Sequence, residues 1–163
     1  MRPIFILPAL LFFESVPAFG QPKKIVRILN SQQDKEIRLR QKDSSGSCGE
    51  KYEVVKKFTI EGNILSFEVK VSSIDTADHY FVKQEVDLGK IKAVVKDINV
   101  LFETEDGAAV STTVSSTGEK SINRGNQFFL YLSCEKQNDY LGEQIVKAFK
   151  NGGWNIEKNI WAD

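Results

Sequence analysis

The chain has 163 residues, 41% of them hydrophobic, with 22 basic and 22 acidic side chains. That length and apolar share suit one globular domain with a real core. A formal charge of zero argues against a dedicated nucleic-acid binder, which needs a net basic footprint.

The first twenty residues stand apart. Met1-Arg2 is a short basic start, Ile4 to Phe13 is an apolar run broken by Pro8, and Ala18-Phe19-Gly20 is a small-x-small site. This pattern predicts a signal peptide over residues 1–20, cleaved after Gly20, and a single globular domain over 21–163. The alternative is an uncleaved anchor or a buried first helix. The run is short for a bilayer span, and no integral membrane segment is expected once the leader is removed. The residue directly after the cleavage site is Gln21 and not a cysteine, which argues against a bacterial lipoprotein. The expected location is therefore secreted or periplasmic. Charge is uneven in what remains. Residues 21–60 carry 10 basic and 5 acidic side chains, and residues 61–163 carry 11 and 16.

Residues 21–35 are polar apart from Ile25 to Leu29, which predicts a short first strand or helical turn. The sequence EIRLRQK over 36–42 alternates and predicts a strand, with Ile37 and Leu39 on one face and Arg38, Arg40 and Lys42 on the other. The plain reading is a solvated basic face; the sharper one is contact with an anion or an acidic surface. A Ser/Gly-rich loop follows. Gly46-Ser47-Cys48-Gly49 does not match the Gly-x-Ser-x-Gly elbow of hydrolases. Two cysteines, Cys48 and Cys134, in an exported chain predict one disulfide. Two free thiols, or a nucleophilic cysteine working with His79, are weaker alternatives.

Residues 52–72 predict a hairpin turning at Gly62-Asn63, with Ile60 opposite Leu65, Phe58 opposite Phe67, Val54 opposite Val71 and Lys56 opposite Val69. Asp75, Asp78 and His79 lie close together, but a ligand site needs convergent geometry that spacing alone does not supply, and turn chemistry explains the same letters, so no metal is expected. Residues 79–86 predict a strand, and 87–91 a capped helical turn.

The stretch KDINVLFETEDGAAVSTTVSS, residues 96–116, predicts a second hairpin. A three-residue loop, Glu105-Asp106-Gly107, pairs Phe102 with Val110, Val100 with Thr112 and Ile98 with Val114. Its acidic tip, Glu103, Glu105 and Asp106, lacks the alternating carboxylates of a calcium loop. A polar loop is expected over 115–126, then a strand over 127–133 covered on both faces. A helix over 140–150 is capped by Asn138 or Asp139, with a core stripe of Leu141, Ile145, Ala148 and Phe149, and ends at Gly152-Gly153. The tail holds Trp154, Ile156, Ile160 and Trp161. These either dock on the domain or form an exposed patch that binds a partner.

The sequences QEVDLGKIKAVVKDINVLFETE and EQIVKAFKNGG resemble a pattern in small exported proteins of Bacteroidota-type bacteria. In those, a β-meander ends in a helix with an Ala-Phe core pair, here Ala148-Phe149. The resemblance covers about residues 50–152 and implies export and a strand-then-helix order, with no site to carry over. The expected fold is α+β: an antiparallel, mostly meandering sheet of about six to eight strands. It would form a roll or half-barrel, similar in strand order to pleckstrin-homology-like rolls, capped by one C-terminal helix.

No catalytic cluster and no cofactor motif is present, so the expected function is a non-catalytic exported module that binds a protein or a small ligand. The alternative is a small secreted hydrolase using paired carboxylates, which requires two carboxyls converging in a cleft.

Overall fold

The computed structural model of the protein describes residues 21–43, 48, 51–72 and 79–162. The expected leader, the Ser/Gly loop around Cys48, and the connection bearing Asp75 and Asp78 lie outside the described residues.

The chain opens with a helix, α1 (Gln21–Lys42), where a strand had been expected over 36–42. Its buried residues are Ile25, Leu29, Gln32, Gln33 and Glu36, at spacings of four, three, one and three. That is one helical face, apolar in its first half and polar in its second. Gln, Lys, Glu, Arg and Leu are all good helix formers. The alternation of Ile37 and Leu39 is incidental. Arg38 stays exposed, whereas Glu36 turns fully inward.

Nine strands follow among the described residues: β1 (Tyr52–Glu61), β2 (Ile64–Ser72), β3 (His79–Asp87), β4 (Ile91–Lys96), β5 (Val100–Thr104), β6 (Ala109–Ser115), β7 (Lys120–Gly125), β8 (Gln127–Phe129) and β9 (Glu157–Trp161). A second helix, α2 (Asp139–Asn151), lies between β8 and β9. The strands form two sheets, ordered β1-β2-β3-β6-β7 and β8-β5-β4-β9. The α+β class, the antiparallel meander and the C-terminal helix are as expected. A second, mixed sheet and the N-terminal helix were not.

In the β1–β2 hairpin Ile60 faces Leu65 as predicted, and Gly62 supplies the positive φ of 60° at the turn. Farther from the turn, two register shifts set Val54 opposite Val69 and Lys56 opposite Glu68. The bulge has a clear benefit: it lifts Lys56 off the apolar face of an edge strand. Phe58 and Phe67 stack with centroids 4.1 Å apart. Between β3 and β4 the predicted capped turn is a 3₁₀ turn over Leu88–Lys90, its end closed by Asp87 Oδ1 accepting from the Gly89 N–H at 2.7 Å.

The predicted 96–116 hairpin is overturned. Its tip forms as expected, with the Ala108 N–H donating to Glu105 O at 3.1 Å and Gly107 at φ 70°. Its two arms, however, lie in different sheets. β5 pairs with β4 and β8, and β6 pairs with β3 and β7. The tip is the crossing between the sheets. Residues 120–125, expected as loop, form the edge strand β7, held by its backbone ladder with Ile122 exposed. Nor is the 127–133 segment covered on both faces. Phe128, Leu130 and Leu132 are buried while Phe129 points out.

α2 buries the predicted stripe of Leu141, Ile145, Ala148 and Phe149. Gly153, at φ 89°, takes the left-handed position after its end. The tail docks as β9, parallel to β4, with Lys96 opposite Trp161. Gly142 makes this possible. A Cβ there would lie 2.6 Å from Lys158 Cδ and 2.7 Å from Trp161 Cζ3. A mid-helix glycine costs about 1 kcal/mol against alanine, and here it lets the strand approach closely.

Two side-chain amides join the layers by imitating a strand. Asn30 of α1 donates to Phe58 O at 3.0 Å and accepts from Phe58 N–H at 2.9 Å. Gln84 of β3 does the same with Phe129, at 3.1 and 2.9 Å, and so ties one sheet to the other. Each satisfies a backbone pair that an edge or crossing would leave open.

Candidate functional site

The polar half of α1 packs against the segment between β8 and α2, and the two build a buried network at the disulfide. Cys48 and Cys134 are bonded, with Cα atoms 4.4 Å apart. One Glu36 oxygen accepts the Ser133 N–H at 2.6 Å and also the Cys134 N–H. Arg40 donates to Ser133 Oγ at 3.2 Å and lies 3.8 Å from the Glu36 carboxylate. Ser133 Oγ in turn donates to Cys48 O at 2.5 Å. The second Glu36 oxygen is buried with no partner among the described residues.

Tyr52 extends this network outward. Its hydroxyl donates to Tyr131 O at 2.6 Å and accepts from Gln33 at 2.7 Å. The Arg40 guanidinium sits 4.7 Å above its ring, and the Tyr131 ring meets it edge-on at 5.1 Å. Tyr131 holds φ at 55°, a conformation that costs a non-glycine residue about 1 kcal/mol or more and persists only where its surroundings impose it. The Tyr52 hydrogen bond to its carbonyl is one such constraint.

Burial pushes the Tyr52 hydroxyl up to about 12, against smaller lowering effects from Gln33 and Arg40. In the unfolded chain it ionises near 10. Its contribution to stability is therefore complete below about pH 10 and lost as pH rises towards 12. Burial also raises the Tyr140 hydroxyl, so absorbance titration of tyrosinate is expected to show late-ionising tyrosines, the latest of which is absent in Tyr52→Phe. An unchanged curve in that variant would contradict the assignment.

Between these groups opens a cleft of about 260 Å³, lined by Arg40, Tyr52, Asn99, Phe129, Tyr131 and Ser133. On the far side of Arg40 and Tyr52 lies a second hollow of about 560 Å³, bounded by Ile37, Gln41 and Val54 among others. The smaller cleft combines aromatic faces with guanidinium, amide and hydroxyl groups, the usual equipment for a small polar ligand with an apolar face.

Two further polar groups are held nearby. Lys96 is 0% exposed, yet its ammonium donates to Asn138 Oδ1 at 2.8 Å and Glu135 O at 3.0 Å. The Trp161 indole donates to the same Asn138 oxygen at 3.1 Å. Asn138 holds the N-cap position of α2 as expected, but its side chain makes no capping bond and fastens β4 and β9 to the start of the helix. Partial burial pushes the Glu135 carboxyl up, but hydrogen bonds from Lys35, Gln32 and Tyr140 outweigh it and hold the group below the ordinary carboxylate range.

The four residues of the expected tail patch do not share one surface. Ile156 is in the core, Trp154 lies edge-on to Phe149 at 6.2 Å, Trp161 is half-buried, and Ile160 is 74% exposed. The carboxylates considered for hydrolysis are also apart where they are described. Glu103 accepts from Asn159 at 2.9 Å and Glu105 pairs with Lys90 at 2.8 Å. His79 packs edge-on to Phe81 at 5.7 Å. Reading the sequence for apolar periodicity missed Glu36, Tyr52 and Lys96, and put Arg40 on a basic strand face instead of in a partly buried network. The available signal was the helical spacing of Gln32, Gln33, Glu36 and Arg40.

Fold and site together define an α+β domain of two sheets and two helices with a polar cleft beside its disulfide. No protein-family model matches the chain, and no curated protein or solved structure is significantly similar to it. Among the described residues no helix is long and apolar enough to cross a membrane.

Proposed function

We propose that the protein is an exported, non-catalytic binding module whose cleft at Tyr52 and Tyr131 takes a small polar ligand with a ring face, such as a sugar. The observation that carries this reading is the cleft itself, three aromatic residues and three polar ones around about 260 Å³. Its walls are pre-organised by the Glu36–Ser133–Arg40 network and by the left-handed Tyr131, so little ordering is needed on binding. The leader-like first twenty residues and the disulfide support export.

Asn99 lines the cleft, and its side chain makes no hydrogen bond with a described residue. Asn99→Trp is therefore expected to fill the cleft without disturbing the fold. Titration calorimetry with a panel of mono- and disaccharides is expected to find a binder that Asn99→Trp loses at least tenfold, with an unchanged melting curve. A panel without any binder at millimolar concentration, or equal binding by the variant, would sink the proposal.

A further inference from the structure

We propose that the groove between α1 and α2 binds an acidic peptide segment of a partner protein, independently of the cleft. Over its 22 residues α1 carries seven basic and two acidic side chains. Both acids are already committed. Asp34 pairs with Lys57 at 2.6 Å, and Glu36 is buried in the network. Arg27, Ser31, Lys35 and Arg38 recur at helical spacing and form one outer stripe. Across from them α2 contributes Tyr140 and Gln144, and the hollow between the helices measures about 360 Å³.

The charge of this groove is uncompensated by design of its surroundings. The two carboxylates of α2, Asp139 and Glu143, point to Lys158 at 2.9 and 2.7 Å. Glu135 is the acid that faces the stripe, and Lys35 holds it. Arg27 and Arg38 are exposed and make no ion pair with any described residue. Two free guanidiniums thus flank a floor formed by Ile28 and Leu141.

Geometry favours a peptide over other polyanions. Arg27 and Arg38 are eleven residues apart, about 16 Å along the helix. An extended chain covers that distance in about five residues. Carboxylates at the two ends would meet the arginines in bidentate fashion, and an apolar residue between them would rest on Ile28 and Leu141. A lipid surface is flat and does not reach a groove floor. Nucleic acid needs a run of phosphate contacts, and here two cations are unpaired.

The test uses a fluorescein-labelled peptide, Glu-Glu-Asp-Leu-Glu-Asp-Glu-Glu, in an anisotropy titration against the 21–163 protein. The control peptide has Gln and Asn in place of its acids. Binding of the acidic peptide alone is expected, weakened about tenfold by Arg27→Gln, about tenfold by Arg38→Gln, and unaffected by Asn99→Trp. Both arginines are exposed and unpaired, so melting curves should be unchanged. Equal binding of the control peptide, or insensitivity to both arginine variants, would overturn the proposal. So would absence of peptide binding, whether or not the protein adsorbs to phosphatidylglycerol vesicles or self-associates.

Discussion

Replacing both cysteines, as Cys48→Ala with Cys134→Ala, is expected to lower stability by about 4–5 kcal/mol. The bond spans 86 residues of sequence, and in the chain-entropy account closing a loop of that length removes roughly this much freedom from the unfolded state. A domain of this size has a net stability of about 5–15 kcal/mol, so the loss would leave it marginal. The bond also fastens the end of α1 to the segment that shapes the cleft. Urea denaturation of the double variant, beside reduced and oxidised wild-type protein, measures the effect. A loss below about 1 kcal/mol would mean that the surrounding hydrogen bonds already restrain both ends.

Glu36→Ala is expected to cost about 3–5 kcal/mol, the range for removing one partner of a buried charged pair. Glu36 accepts two backbone N–H groups, from Ser133 and Cys134, and stands beside Arg40. Alanine leaves both donors without their acceptor, at about 1–3 kcal/mol each. Glu36→Gln keeps a carbonyl acceptor and gives up only the charge, so its loss should be about half as large or less. Chemical denaturation of the two variants separates the roles. Equal losses would show that the charge opposite Arg40 matters and the acceptor does not. The disulfide and Glu36 restrain the same backbone, so their effects are expected to be non-additive, and a double-mutant cycle measures the coupling.

Some elements could be read from the residues because local chemistry decides them. The turn at Gly62-Asn63 fixes Ile60 against Leu65, since a two-residue loop leaves no freedom of register. The stripe Leu141, Ile145, Ala148 and Phe149 is apolar on one side alone, so α2 has one way to pack. Elsewhere the local signal pointed the wrong way. Ile37 and Leu39 alternate as in a strand, but the residues that face inward are Glu36 and Arg40, and their burial is stabilised by the distant Ser133 and Cys134. Apolar matching of Phe102 with Val110 suggested a hairpin, yet β5 pairs with β4, the strand just before it, with Phe102 opposite Val94, and β6 pairs with β3, with Val110 opposite Glu85.

The tail shows the same division. Two Trp and two Ile within eight residues signalled that it should not lie in water. Which side chain stays outside depends on β4, on Gly142 and on Asn138, which set the strand's position.

By itself the sequence determined the α+β class, the C-terminal helix, the first hairpin and the pair of cysteines. Each rests on periodicity, turn chemistry or composition, which act over a few residues. Tertiary structure alone decided the split into two sheets, the helical N-terminus and the polar cleft. The split depends on which strand each arm of the 96–116 segment pairs with, and the cleft on partners far apart in sequence, as Glu36 is from Ser133 at a separation of 97. A buried polar side chain looks like a solvated one until its partner is in place, because only the partner offsets the cost of burying it.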